Sequence, residues 1–249
     1  MRFRVTHSSY LLLAVLCLGV SCFSCSTDPQ TERSRPMLFS ETKEIELGKK
    51  AFRVFLEKPN TVMVKDPLVT QQASRVFERL VDAAKASSYA NFAKQLEWEV
   101  VVIQNAQTAG VCFPGGKVGV NTGLLKYVES DDELSGAMGY LMASILARHS
   151  VEQLSRTMIV YDETEKDRAE SGPVSSVKSG PKAEGPVKWE QAQREEADRI
   201  GVLLMAQAGY DPTAILRFWR RSQGPASVRA KQVEPFISEA VALHQRKDK

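Results

Sequence analysis

Histidine and cysteine are scarce in this chain of 249 residues. The sequence has three histidines, namely His7, His149 and His244, and four cysteines, namely Cys17, Cys22, Cys25 and Cys112. Four cysteines do not form a disulfide framework here, because the first two belong to the leader. Cys25 and Cys112 could pair in an oxidising compartment, but we expect Cys112 to pack as a small apolar residue.

An excess of one charge and a long apolar run are also missing. The net charge is only +3, and the basic residues are scattered among acids without interleaved aromatics. This distribution lacks the basic surface that nucleic acid requires, and no nucleic-acid partner is expected. The longest apolar stretch, Leu11 to Val20, is too short to predict a membrane span. The hydrophobic fraction of 43% suits one globular domain.

The first residues have the pattern of an export signal. Arg2 and Arg4 precede the apolar stretch, which ends in Leu18-Gly19-Val20-Ser21-Cys22. This ending resembles a bacterial lipobox, in which small residues precede a cysteine that becomes lipid-modified. The alternative is a plain cleaved signal peptide. We predict a lipid anchor at Cys22 and a location in the bacterial cell envelope, with the chain facing the periplasm or the exterior.

The pattern predicts helices around one short sheet. The longest predicted helix runs from Ser130 to Arg156, with a capping box at Ser130 and Glu133. Further helices are predicted at 40–58, 67–86, 189–208 and after Pro212, with a last short one at 238–245, and a buried strand at 96–104. A glycine turn at 115–116 predicts a hairpin of two short strands.

Several phrases in these elements resemble one known family. They are Asp132-Glu133-Leu134, Leu146-Ala147-Arg148-His149-Ser150, Pro114-Gly115-Gly116-Lys117, Asn121-Thr122-Gly123-Leu124-Leu125 and Glu196-Ala197-Asp198-Arg199-Ile200-Gly201. They resemble the HExxH zinc metallopeptidases of the CaaX prenyl endopeptidase, HtpX, BepA and LoiP. The resemblance implies an α+β fold: a mainly helical zincin-like (gluzincin) domain with a small β-sheet beside the active-site helix.

The resemblance also shows which residues stand at the family's zinc positions. Two histidines on the long helix and a glutamate on a second helix hold zinc in the family, and a glutamate beside the first histidine activates water. Here the ligand positions hold Tyr140, Ser144 and Arg194, and the general-base position holds Leu141. A guanidinium repels a metal cation and an isobutyl group takes no proton. We therefore expect no zinc and no catalytic residue.

Two other arrangements of polar residues are considered at this place. Arg194 and Asp198 are four apart on one helix, and we predict that Arg194 pairs with Asp198 and stacks on Tyr140 in place of the metal. His149 and Glu152 have a spacing that could bind a metal, but a second-layer role for the histidine is the simpler interpretation.

The function predicted from these observations is that of a pseudopeptidase. A protein or peptide would bind in the degenerate cleft, along the strand Gly116, Lys117, Val118, Gly119 and Val120, by strand addition. One alternative is a zinc-dependent metalloendopeptidase with an atypical site, and another is a structural envelope protein. The predicted division of the chain is a signal peptide at 1–21, a flexible tether at 22–38, the peptidase-like domain at 39–222 with a disordered loop at 161–187, and a C-terminal extension at 223–249.

Overall fold

A computed structural model describes residues 25–156, 191–221 and 225–247. The helices are α1 (Glu41–Leu56), α2 (Pro67–Lys85), α3 (Ala90–Ala93), α4 (Thr122–Tyr127), α5 (Asp131–Leu146), α6 (149–156), α7 (Gln191–Gln207), α8 (Ala214–Arg221) and α9 (Pro225–Lys247). The strands are β1 (Cys25–Thr27), β2 (Ser34–Pro36), β3 (Glu99–Ile103), β4 (Gly110–Phe113) and β5 (Lys117–Asn121). The signal peptide at 1–21, Cys22 and the loop at 161–187 lie outside the described residues.

Local sequence signals account for the helix boundaries. Ser40, Asp66 and Ser130 each accept a backbone N–H as the N-cap of α1, α2 and α5. In a standard capping box, the carboxylate of Glu133 would accept the backbone N–H of the N-cap residue, Ser130. Here it accepts the N–H of the preceding residue, Glu129. Gly209 ends α7 at a positive φ of 78°, as the sequence predicts for a residue after a helix.

The long helix predicted from Ser130 to Arg156 is two helices. The helix is interrupted at Arg148, whose backbone is left-handed with a φ of 56°, and this residue separates α5 from α6. No glycine or proline marks the break, so periodicity alone cannot find it. The side chain of Arg148 pairs with the buried carboxylate of Glu44 and donates to the carbonyl of Phe39, and these contacts hold the strained corner.

The main sheet has the strand order β3-β5-β4, with β3 parallel and β4 antiparallel to β5. The strand predicted to bind a peptide, 116–120, forms most of β5, which is paired on both sides and is buried. It therefore has no free edge for strand addition, which corrects the prediction. In the described residues β3 and β4 are the two outer strands; the outer side of β3 is bridged at Ile103 by Met63, whereas no strand or bridge covers the outer side of β4.

The segment predicted as a flexible tether is ordered from Cys25 onward. Strands β1 and β2 form an antiparallel hairpin that pairs Cys25 with Pro36 and Thr27 with Ser34. Asp28 and Arg35 in this hairpin are almost fully buried, at 1% and 3% exposure. Polar side chains of this segment, whose composition predicted disorder, instead form buried ion pairs, which are described below.

The C-terminal segment also differs from its prediction. In place of a short helix at 238–245, α9 runs through 23 residues and packs along α7 and α8. Helices α5 and α7 form the centre of the core, where α5 is buried on almost every side. The predicted buried stripe on α5 is confirmed: Leu134, Met138, Leu141, Met142, Ile145 and Leu146 are all buried. In the described ranges, no helix is long and apolar enough to span a bilayer.

Candidate functional site: a degenerate metal site and a buried carboxylate cluster

The middle of α5 carries the three side chains that the sequence resemblance assigns to the family's metal and base positions. Tyr140 is partly buried, and Ser144 is buried one turn later. The hydroxyl of Ser144 donates to the carbonyl oxygen of Tyr140 at 2.8 Å, so it is used within the helix backbone. Leu141 is 8% exposed, and its Cδ1 lies only 2.5 Å from the place that a side chain on Gly110 of β4 would occupy. An apolar contact between helix and sheet edge thus fills the position of the general base.

Across from α5, helix α7 presents Asp198, which is 4% exposed. Its carboxylate accepts from the guanidinium of Arg229 in α9 at 2.7 Å. The same guanidinium carbon lies 3.7 Å from the ring centroid of Tyr140 and 4.4 Å from that of Trp219. Burial raises the pKa of the Asp198 carboxyl above its ordinary value, and the charge of Arg229 opposes this shift.

The predicted contact of Tyr140 with an arginine and Asp198 therefore exists, but the arginine is Arg229. Arg194, which was predicted for this role, is exposed, and its electrostatic contribution to the pKa of Asp198 is smaller than that of Arg229. The sequence could not identify Arg229, because it lies on a helix that follows 31 residues after Asp198. Its position depends on how α9 folds back onto α7.

These residues do not fit a zinc ion. Of the side chains at the three ligand positions, the Tyr140 phenol stacks on a guanidinium and the Ser144 hydroxyl donates to a backbone carbonyl. The third, Arg194, is an exposed cation. The carboxylate of Asp198, which meets the guanidinium over the Tyr140 ring, already has a cationic partner. Zinc in proteins takes thiolate, imidazole or carboxylate ligands, and a neighbouring guanidinium disfavours a divalent cation.

Helices α5 and α7 approach each other closely beside this site. A Cβ on Gly139 would lie 2.9 Å from the carbonyl oxygen of Gly201, and a Cβ on Gly201 would lie 3.0 Å from the backbone nitrogen of Tyr140. Both neighbours are backbone atoms, which cannot move aside as a side chain does. The two glycines therefore permit a direct backbone contact between the helices that the family joins through zinc.

A second polar cluster lies on another face of α7. Glu196 is two residues from Arg194 and from Asp198, which places it roughly 200° around the helix at ~100° per residue. Its carboxylate accepts from Arg33 of the hairpin at 2.6 Å and contacts Nε2 of His149 at 2.7 Å. The carboxylate of Glu152 accepts hydrogen bonds from both terminal nitrogens of Arg33, at 2.7 and 2.6 Å. We call Arg33, His149, Glu152 and Glu196 the carboxylate cluster.

The carboxylate cluster is enclosed and its charges are balanced by hydrogen bonds. His149 and Glu152 are completely buried, and Glu196 is 5% exposed. Burial acts to raise the pKa of Glu152, but hydrogen bonds from Arg33, Arg156 and Gln193 outweigh it and bring the pKa to about 2. Burial is also the main reason that the pKa of His149 is lowered, although Glu196 opposes the shift.

The hairpin contributes a further buried pair to this region. Arg35 donates to Asp28 at 2.7 Å, and the hydroxyl of Tyr89 donates to the other oxygen of Asp28 at the same distance. The hydroxyl of Thr31 donates to Glu196. The hairpin is thus attached both to the carboxylate cluster and to the segment that follows α2.

Glu196 therefore has a histidine partner, His149, which lies 47 residues earlier in the sequence. The alternative metal pair of His149 and Glu152 remains a hypothesis, but Arg33 lies bidentate on Glu152. The sequence offered one signal for the cluster, the alternation of Arg33 and Arg35 just before a predicted helix. Without the fold, nothing joins these arginines to carboxylates more than 100 residues later.

Comparisons with known proteins bear on this arrangement. The sequence model of Peptidase family M48 matches residues 67–245, which is well over half of the chain. The chain belongs to Peptidase family M48. The M48 match ends within α9, so it includes both helices of the degenerate site and the helix that carries Arg229. The mainly helical fold with a small sheet, predicted as zincin-like, is confirmed.

The M48 relatives are distant. The Mitochondrial metalloendopeptidase OMA1 of Arabidopsis thaliana is 28% identical over 136 residues, covering 52% of this chain and 26% of that protein. The protein of the same name in Schizosaccharomyces pombe is 28% identical over 198 residues, covering 72% and 56%. The Beta-barrel assembly-enhancing protease of Escherichia coli is 25% identical over 253 residues, covering 91% and 48%. The chain therefore spans between a quarter and little more than half of these relatives' lengths.

Proposed function

We propose that this M48 protein is a catalytically inactive pseudopeptidase, anchored as a lipoprotein in the bacterial cell envelope, that binds extended polypeptides in its degenerate cleft. The observation that carries the proposal is the pairing of Arg229 with Asp198 over the Tyr140 ring, at the place where the family holds zinc. The lipobox-like ending at Cys22 supports the anchor. The relatives named as a metalloendopeptidase and as a β-barrel assembly-enhancing protease support a role in protein quality control, as chaperone or adaptor.

The loss of catalysis is tested by metal content and hydrolysis. The purified full chain should contain no stoichiometric zinc, should leave casein uncut, and should keep its melting temperature when a chelator is added. The Escherichia coli Beta-barrel assembly-enhancing protease, assayed in parallel, controls for the hydrolysis assay. One chelator-sensitive zinc per chain together with hydrolysis would instead support the alternative of an atypical zinc metalloendopeptidase.

The surface available for a peptide is the open edge of β4. This edge borders α5, because Leu141 contacts Gly110. The bond from the Asn121 N–H to the Ala109 carbonyl fixes the alternation of the antiparallel ladder. It follows that Gly110 and Cys112 direct their backbone N–H and C=O groups away from β5, toward a strand that would add at this edge.

Proline at position 112 tests strand addition at this edge. In Cys112→Pro the outward N–H is lost while the bonds between β4 and β5 remain. Binding of extended peptides, measured by fluorescence anisotropy, should weaken strongly in this variant. Cys112→Ala keeps the N–H and is the matched control, which should bind as the native protein does. Equal binding by both variants would refute this binding mode and favour the structural alternative.

A further inference from the structure

The hairpin shortens the distance between the proposed lipid anchor and the folded domain. Only two residues lie between Cys22 and Cys25, where β1 begins, so the two cysteines are three residue steps apart. Three residues of extended chain reach at most about 11 Å. An anchor at Cys22 therefore cannot let the domain stand away from the bilayer on a long tether, as the sequence alone suggested. The end of the hairpin that contains Cys25 must stay near the membrane surface.

The residues around that end of the hairpin are apolar and exposed. Cys25 pairs with Pro36 in the hairpin, and the chain then continues through Met37 to Leu38. The backbone N–H of Leu38 donates to the side-chain oxygen of Ser155 at 3.0 Å, which brings the end of α6 to the same place. Leu38 is 44% exposed and the neighbouring Leu154 is 37% exposed.

We infer that this end of the molecule, formed by Pro36, Leu38, Leu154 and Arg156, is a membrane-docking face that lies on the bilayer holding the Cys22 lipid. The inference rests on the lipoprotein part of the proposed function. Exposed leucines enter the boundary between headgroups and acyl chains, and an arginine beside them meets anionic headgroups. The Arg156 side chain is 41% exposed even though it pairs with the buried Glu152.

The orientation is tested on the full lipidated chain, reconstituted in phosphatidylethanolamine and phosphatidylglycerol vesicles that contain brominated lipid. In a Cys25→Ser background, a fluorophore is attached to Leu38→Cys or Leu154→Cys. The control is Leu68→Cys, which is 87% exposed at the start of α2, at the end of that helix remote from the Tyr89 contact with the hairpin. All three side chains are exposed, so the core is unchanged, and urea midpoints verify this.

Brominated lipid should remove most of the fluorescence at positions 38 and 154 and leave position 68 unchanged. Equal quenching at the three positions, no quenching at 38 and 154, or quenching at 68 alone would overturn the docking face. A mass measurement of the purified chain separates the two proposals. A chain without lipid on Cys22 refutes the anchor and this inference together, whereas a lipidated chain without quenching at 38 and 154 refutes only the docking face.

Discussion

The two polar clusters that involve helix α7 differ in how their buried charges are paired. At the degenerate metal site, the frame of an M48 enzyme surrounds a single arginine pair, Arg229 with Asp198, stacked on aromatic rings. In the carboxylate cluster, two buried carboxylates share Arg33, and Glu196 also contacts His149 from a distant segment. The first site uses one cation where a metal would be expected, and the second uses a network. The comparison indicates that polar contacts within the chain hold α7 against its neighbours at both places.

The largest effect is expected from breaking the carboxylate cluster. Glu196→Ala removes the partner of Arg33 and His149 and leaves buried charge uncompensated, which should lower the free energy of unfolding by about 3–5 kcal/mol. Urea denaturation followed by circular dichroism measures the change. The neighbouring Glu195→Ala is the control, because Glu195 accepts an exposed hydrogen bond from Gln191, and the change should alter stability by less than about 0.5 kcal/mol. A similar loss in both variants would show that the cluster contributes no more to the free energy of unfolding than an exposed carboxylate does.

Breaking the pair at the degenerate metal site should cost less. Arg229→Ala leaves Asp198 buried without this cation, but the Arg229 side chain is 18% exposed and water can reach part of the gap. We expect a loss of about 2–3 kcal/mol in the free energy of unfolding. Arg220→Ala removes a pair on the neighbouring helix in which both side chains are 60% exposed, and should cost less than about 1 kcal/mol. If Arg229→Ala were as mild as this control, the proposed replacement of the metal by an ion pair would fail.

The close contact between α5 and α7 gives a third test. In Gly201→Ala the new methyl meets backbone atoms of α5, so the helices must separate, while alanine regains some helix propensity. A net loss of about 1–2 kcal/mol is expected from thermal or urea unfolding. Unchanged or increased stability would mean that the helices have room to move apart.

The dependence of stability on pH should be the smallest effect at neutrality and should grow below it. The pKa of Glu152 is about 2 when folded and 4.5 ordinarily, and the pKa of Glu196 is also lowered. Their contribution is present above about pH 4.5 and is lost as the pH falls toward 2. The lowered pKa of His149 has the same sign, since the unfolded chain gains a proton below its ordinary value of 6.5. Urea midpoints should therefore fall from pH 7 to pH 3, and less steeply in Glu152→Gln.

The degenerate metal site was more predictable from the sequence than the carboxylate cluster, for a physical reason. Which side chains can hold zinc is a matter of residue type, so Tyr140, Leu141, Ser144 and Arg194 could be assessed at their positions without a fold. The partner Arg229 could not, since the contact depends on α9. Helices with caps and apolar periodicity were also predictable, apart from the corner at Arg148, where long-range contacts overcome local preference.

The hairpin was missed because its composition resembles that of disordered segments. Asp28, Arg33 and Arg35 are costly to bury alone and were interpreted as solvated residues. Their burial becomes favourable only when Glu152, Glu196 and Tyr89 are brought together by the fold. Strand addition was assigned to β5 for a similar reason, because sequence shows where strands are and not which strand lies at the edge.

The corner at Arg148 has a consequence for how the molecule opens. It ties Glu44 of α1 to the start of α6, whose next turns carry His149 and Glu152 into contact with the hairpin and α7. Segments that are far apart in the sequence thereby depend on one another, so that none can separate without exposing charge in the others. Amide protons of α1, the hairpin and α6 should then exchange with solvent as one cooperative unit rather than fraying independently.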